Sequence, residues 1–152
     1  MKLVNDTIDN KDIDSLIEWL GKYPKLTKGP VTLELEKKWS KWLGVKNTTF
    51  CNSGSSANLL MLWALIEAGR IGRDAKIVVP SVDLDHLETI FKETKPDVLL
   101  LVSVLGLVPN MERILELCNK YEVILLEDAC ESMGSRYKNK KLGSFGLMSS
   151  FS

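Results

Sequence analysis

Apolar positions along the chain follow two rhythms. Short runs rich in leucine or β-branched residues fill Thr48 to Cys51, Lys76 to Val79, Asp97 to Val104 and Glu122 to Leu126, and their near-continuous hydrophobicity predicts strands. Between them the apolar residues recur at helical spacing. Ser55 to Gly69 places Leu59, Leu62, Trp63 and Ile66 on one face, with Gly69 as its stop. Asp85 to Lys95 repeats the pattern with Leu87, Ile90 and Phe91, and Met111 to Tyr121 with Ile114, Leu115 and Cys118. Apolar strands alternating with helices predict an α/β domain: a three-layer, mostly parallel sheet flanked by helices, with right-handed crossovers.

The chain divides by pattern at about residue 45. Residues 1–45 read as an N-terminal helical arm, with "DIDSLIEWLGKYP" and "VTLELEKKWSKWLG" as two helices broken at Gly29-Pro30. Trp19, Trp39 and Trp42 are expected to pack this arm onto the domain or onto a second subunit. Residues 46–152 form the α/β domain. After Asp128 the stretch "GSRYKNKKLGSFG" reads as a short hairpin with a polar turn, and the stop in "LMSSFS" suggests truncation.

Composition narrows the classes. A chain of 152 residues that is 45% hydrophobic can bury a sizeable core, and its 20 basic and 20 acidic side chains leave no overall field to attract nucleic acid or an anionic membrane. No run has the length of a membrane span and the N-terminus lacks a signal-like core, which points to the cytoplasm. Cys51, Cys118 and Cys130 show neither CxxC nor His-paired spacing, so they read as buried reduced thiols rather than as a zinc site or disulfide framework.

Two motifs carry candidate chemistry. In "NSGSSAN", Gly54 turns the backbone and Ser55 and Ser56 open a helix, so free N–H groups, the helix dipole and hydroxyls form a phosphate cradle at the carboxyl edge of the sheet. Plain helix capping accounts for the same residues. The stretch lacks the lysine of a Walker loop and the spacing of a dinucleotide fold. In "VILLEDACES", a strand delivers Glu127 and Asp128 to that same edge, where an unpaired charge is costly. A ligand cation such as a protonated pyridine nitrogen would answer it, and Asp128 would then keep the ring an electron sink. A solvated or helix-capping Asp128 is the alternative. Together the motifs suit pyridoxal 5'-phosphate (PLP) without excluding a nucleotide.

"TKGP", "LEKKWSKWLGVKNTTFCNSGSSAN", "IVVPS", "LLEDACESMGSRYKNKKLGSFG" and "SSFS" follow one another as in the DegT/StrS-type sugar aminotransferases, which the chain resembles over nearly its whole length. The resemblance implies a partial large domain of the PLP-dependent fold type I architecture. It also implies a nucleotide-linked keto sugar and an amino donor as partners, a homodimer, and amino-sugar or surface-polysaccharide synthesis as the setting. By the same resemblance Ser55 and Ser56 match phosphate-binding positions, Asp128 the partner of the pyridinium nitrogen, Glu131 a position near the ring hydroxyl, and Ser152 a serine that reaches the phosphate.

Two departures qualify the match. The family's Schiff-base lysine lies beyond the position of Ser152, and Lys138, Lys140 and Lys141 do not fall at its place; they read as a solvated hairpin face. The segment between Pro80-Ser81 and "VDLDHLETIF" is shorter than in the family, which costs the residue that stacks on the cofactor ring. "NSGSSANLL" with "EDACESMGS" is most similar to the sugar 3-dehydratase branch, where histidine replaces the lysine and pyridoxamine 5'-phosphate serves, although His86 does not align there. The expected reading is thus an aminotransferase-family fragment that is inactive alone, with a 3-dehydratase, a non-catalytic phosphate-binding or assembly module, or a remnant without function as alternatives.

Overall fold

The computed structural model describes residues 7–79 and 84–152. Helix α1 (Asn10–Leu20) starts at a capping box, in which Asp9 accepts the N–H groups of Lys11 and Asp12 while the Asp12 carboxylate accepts that of Asp9. Helix α2 (Pro30–Leu43) has its proline at the first helical position, where no N–H is missed, and stops at Gly44 with φ +84°. Helix α3 (Gly54–Glu67) is capped by Ser53. Strand β1 (Ile77–Val78), helix α4 (Leu84–Thr94), strand β2 (Val98–Val102), helix α5 (Met111–Tyr121) and strand β3 (Ile124–Asp128) follow in alternation. Strands β4 (Arg136–Tyr137) and β5 (Lys140–Lys141) make the expected antiparallel hairpin, and β6 (Met148–Ser150) returns to the main sheet. That sheet has the order β1-β2-β3-β6 with every pair parallel, as the sequence pattern predicts.

The pleat sorts the core into two faces, because successive strand residues point to opposite sides. Leu99 and Leu101 of β2 and Leu125 of β3 join Phe91 of α4 and Ile114 and Leu117 of α5. Val98 and Leu126 join Met61 and Leu65 of α3 on the other face. Glu88 fastens α4 to α5: its carboxylate accepts from Arg113 Nη2 at 2.8 Å, Lys120 Nζ at 2.7 Å and the Tyr121 hydroxyl at 3.0 Å.

Two expectations need correction. Residues 48–51 form no strand; no described strand lies beside them, and side chains hold them instead, with the Phe50 N–H donating to Glu36 Oε1 at 2.9 Å and Ser40 Oγ donating to Thr48 Oγ1 at 2.7 Å. The inward face of α3 is Met61 and Leu65, whereas Leu59 and Trp63 are exposed. The shortened segment at residues 80–83 lies outside the described residues. Cys118 is buried, and burial pushes its thiol up to about 12, while Cys51 and Cys130 are half-buried and all three thiols are unpaired.

The tryptophans of the arm divide. Trp39 packs against Trp42 at 5.1 Å with the rings tilted by 48° and meets Phe151 edge-on at 5.3 Å, so α2 is docked on the domain. Helix α1, which carries Trp19, has no buried residue. The hairpin lysines are less free than a solvated face implies. Lys138 pairs with Glu112, Lys140 lies 4.5 Å over the Phe145 ring, and Lys141 lies 4.9 Å over the Trp42 ring and donates to the Trp42 carbonyl. Among the described residues no helix is long and apolar enough to cross a membrane.

Candidate active site at the carboxyl edge of the sheet

The pleat sends Glu127 and Asp128, neighbours at the end of β3, to opposite faces. Glu127 is 1% exposed and turns to the face of α4 and α5. There its Oε1 accepts the N–H groups of Phe145 and Gly146 at 2.6 Å each, and its Oε2 accepts that of Gly143 at 2.7 Å. Burial raises its pKa, and the three backbone donors oppose that rise. The loop can wrap the carboxylate this closely because two of its residues lack side chains. A Cβ at Gly146 would sit 2.7 Å from the Leu125 carbonyl oxygen, and one at Gly143, where φ is +84°, 2.3 Å from the Phe151 ring. A charge that the sequence leaves asking for a ligand is thus satisfied by the chain's own backbone.

Asp128 turns to the face of α3. Its Oδ2 accepts from Asn58 Nδ2 at 2.7 Å and its Oδ1 from the Cys130 N–H at 3.1 Å. Asn58 in turn accepts the hydroxyl of Ser150, whose Oγ is 2.6 Å from Asn58 Oδ1. Partial burial alone would raise the Asp128 pKa, but hydrogen bonds, first among them those from Cys130 and Asn58, outweigh it and hold the carboxyl below its usual value. Burial and the neighbouring Asp128 push the Cys130 thiol up to about 11, so it stays protonated.

The N-terminus of α3 meets this edge. Ser53 Oγ accepts the Ser56 N–H at 3.1 Å and donates toward Ser56 Oγ at the same distance. Among the described residues the N–H groups of Gly54 and Ser55 have no acceptor, as the first turn of a helix leaves them. Gly54 is required for the approach: a Cβ there would lie 2.9 Å from Ser152 Cβ and 3.1 Å from Cys130 Sγ. Ser55 and Ser152 are exposed and Ser56 is half-buried. Four of the five site residues expected from sequence, Ser55, Ser56, Asp128 and Ser152, therefore converge around the α3 terminus and the ends of β3 and β6.

Glu131 is differently engaged. Its Oε2 accepts the N–H of Leu105 at 2.7 Å, holding a short 3-10 turn (Val104–Gly106) in which Leu105 has φ +53°. One of its two carboxylate oxygens is taken by that turn. The sequence reading passed over Asn58 and Ser150. A polar residue followed by Leu59, Leu60, Met61 and Leu62 was the available signal, since an amide in an apolar helix needs a partner. No cluster of His, Cys, Asp and Glu among the described residues is arranged to hold a metal ion.

A parallel sheet with a helix N-terminus and a carboxylate at its carboxyl edge is the ground plan of a PLP-dependent fold type I domain, and the comparisons agree. The model of the DegT/DnrJ/EryC1/StrS aminotransferase family matches residues 7–85 and 82–152, two stretches that meet where the sequence reading expects a shortening. The chain belongs to that family. It is 29% identical over 180 residues to a GDP-4-keto-6-deoxy-D-mannose 3-dehydratase of Yersinia pseudotuberculosis, covering 99% of this chain and 45% of that protein. A GDP-perosamine synthase of Caulobacter vibrioides is 26% identical, with 95% of this chain and 45% of that protein covered. Among solved structures, a GDP-4-keto-6-deoxymannose-3-dehydratase with a trapped PLP-glutamate geminal diamine superposes with a TM-score of 0.89 at 28% identity, covering 99% of this chain and 46% of that one. The chain thus spans less than half the length of these relatives.

Proposed function

We propose that this chain is the cofactor-anchoring part of a PLP- or pyridoxamine-phosphate-dependent enzyme that acts on nucleotide-linked keto sugars, with amino transfer as its family chemistry. The observation that carries the reading is the ionised Asp128, held on the same sheet edge as the open N-terminus of α3. The donor set fits a phosphorylated pyridine. The N–H groups of Gly54 and Ser55, the hydroxyls of Ser55, Ser56 and Ser152 and the positive end of the helix would hold a phosphate dianion. Asp128 would accept the proton-bearing ring nitrogen and keep it charged. When bound, the cofactor supplies an electron sink for the carbon next to the transferred nitrogen.

What these residues do is bind and orient; none is placed to shuttle a proton. The chain alone is therefore expected to lack turnover, and by the family resemblance none of Lys138, Lys140 and Lys141 falls at the Schiff-base position; they lie against Glu112, Phe145 and Trp42. A 3-dehydratase, the alternative reading, would use the same anchors, and the Yersinia relative bears that name. Glu131 would meet a ring hydroxyl through its second oxygen, since Oε2 is taken by the Leu105 N–H. Family membership, with the apolar stripe Ile13, Leu16, Ile17 and Leu20 that α1 leaves exposed, supports the expected homodimer.

Titration of the purified chain with pyridoxal phosphate and pyridoxamine phosphate, read by absorbance and fluorescence, tests the proposal. Saturable binding is expected, weakened about tenfold or more by Asp128→Ala and by the Ser55→Ala/Ser56→Ala pair, as the loss of charge-assisted hydrogen bonds implies. A folded chain that binds neither compound would refute it.

A further inference from the structure

Asn58 stands between two partners and can satisfy them in only one orientation. Its NH2 group donates to Asp128 Oδ2 at 2.7 Å, and its carbonyl oxygen lies 2.6 Å from the hydroxyl of Ser150. An amide turned over would set oxygen against a carboxylate oxygen at the same short distance, acceptor facing acceptor. The carboxylate forbids that reversal, and Ser150 anchors the other end of the amide: it is 2% exposed, and β6 is in register with β3 so that Ser150 stands opposite Asp128. We propose that Asn58, anchored by Ser150, is the positioning residue that sets the direction of the Asp128 carboxylate at the sheet edge, an inference that rests on the cofactor reading above for its purpose.

The surroundings leave this task to the amide. From α3 the group facing Asp128 is the neutral Asn58, from β6 the neutral Ser150, and from the loop after β3 the Cys130 N–H and its protonated thiol. Glu131, three residues on, has its carboxylate on the Leu105 N–H. Among the described residues no Lys, Arg or His forms a salt bridge with Asp128. A carboxylate can accept about four hydrogen bonds, so holding it from α3 leaves capacity for a ligand N–H. For packing alone an apolar side chain would serve at position 58, as Met61 and Leu65 do along the same helix.

A staple that only ties α3 to the sheet would show the same distances, so the test must read the carboxylate itself. The full chain with 13C-labelled aspartate is titrated by NMR as wild type, Asn58→Ala and Ser150→Ala, with thermal melts alongside and pyridoxal phosphate binding measured at neutral pH. The Asp128 midpoint is expected to rise by about one pH unit in Asn58→Ala, as loss of one charge-assisted hydrogen bond implies, and the dissociation constant to rise about tenfold. Ser150→Ala, which removes the anchor on the amide oxygen, is expected to move both in the same direction by less. A lower melting temperature with an unmoved Asp128 midpoint in both variants would overturn the proposal and leave Asn58 a staple. If the midpoints move while the wild type binds no pyridoxal phosphate, the positioning role stands and the cofactor reading falls.

Discussion

The two faces of the main sheet are finished to different degrees. On one, α4 and α5 close over Leu99, Leu101 and Leu125, Glu88 ties the helices together, and Glu127 is used up inside the loop that leads to β6. On the other, α3 alone meets Val98 and Leu126, leaves Leu59, Leu60 and Trp63 exposed, and presents Asp128 beside an open helix end. Adjacent carboxylates of like chemistry thus have opposite fates: the closed face turns a charge into architecture, and the open face keeps one addressable. Stability and binding should accordingly be separable by face.

The largest expected effect tests that separation directly. Phe91 is 0% exposed on the closed face and touches Tyr121 edge-on, so Phe91→Ala should cost about 3–5 kcal/mol and abolish cooperative urea unfolding at room temperature if total stability is small. Trp63, 45% exposed on the open face, carries the Arg73 guanidinium 5.2 Å over its ring, and Trp63→Ala should cost about 1 kcal/mol or less. Equal losses would erase the distinction. Next in size is the carboxylate pair. Glu127→Gln sets an NH2 group against one of its three backbone N–H donors and should cost about 1–3 kcal/mol in urea melts. Asp128→Asn should cost about 1 kcal/mol or less and instead weaken pyridoxal phosphate binding. A result with the two reversed would mean that Asp128 is the structural residue of the pair.

Legibility followed how local each cause was. Helix α5 was readable to its ends because Asn110 caps it, accepting the Arg113 N–H, and a clear polar face sets its phase. The hairpin was readable from its turn residues, with Lys138 at φ +53°. Helix α3 was found but its phase was misread, since a helix apolar nearly all round offers no polar side to orient it. The run at residues 48–51 has strand composition, yet a strand exists only with a neighbour to bond, and that is a tertiary fact. The serines of the turn and Asp128 could be named from the sequence. Period two separates Glu127 from Asp128, although the sequence reading sends both to one edge as charges in want of a ligand, and the meeting of Glu127 with Gly143, Phe145 and Gly146 depends on a loop fold that no local pattern encodes. Asn58 was missed because its partners lie 70 and 92 residues away in the chain.

The smallest expected effect is in pH dependence, and it distinguishes two carboxylates that both serve the closed face. Hydrogen bonds from Lys120 and then Tyr121, with the nearby lysine charges, lower the Glu88 pKa from 4.5 to about 2. Its folded value lies below its unfolded one, so its contribution is present above pH 4.5 and is lost as pH falls toward about 2. Burial raises the pKa of Glu127, so its contribution has the opposite sign: it is complete below the unfolded value of 4.5 and is lost as pH rises through the raised folded one. Urea midpoints measured between about pH 3 and pH 7 for wild type, Glu88→Gln and Glu127→Gln should show the two trends. The deficit of Glu88→Gln should shrink toward acid pH, and should also shrink with added salt because its partners are solvent-accessible. The deficit of Glu127→Gln should be greatest at the acid end, narrow as pH rises, and respond little to salt. Parallel slopes for both variants would mean that the Glu127 carboxylate ionises as readily in the folded chain as Glu88 does, which a 1%-exposed group held by neutral backbone donors should not do.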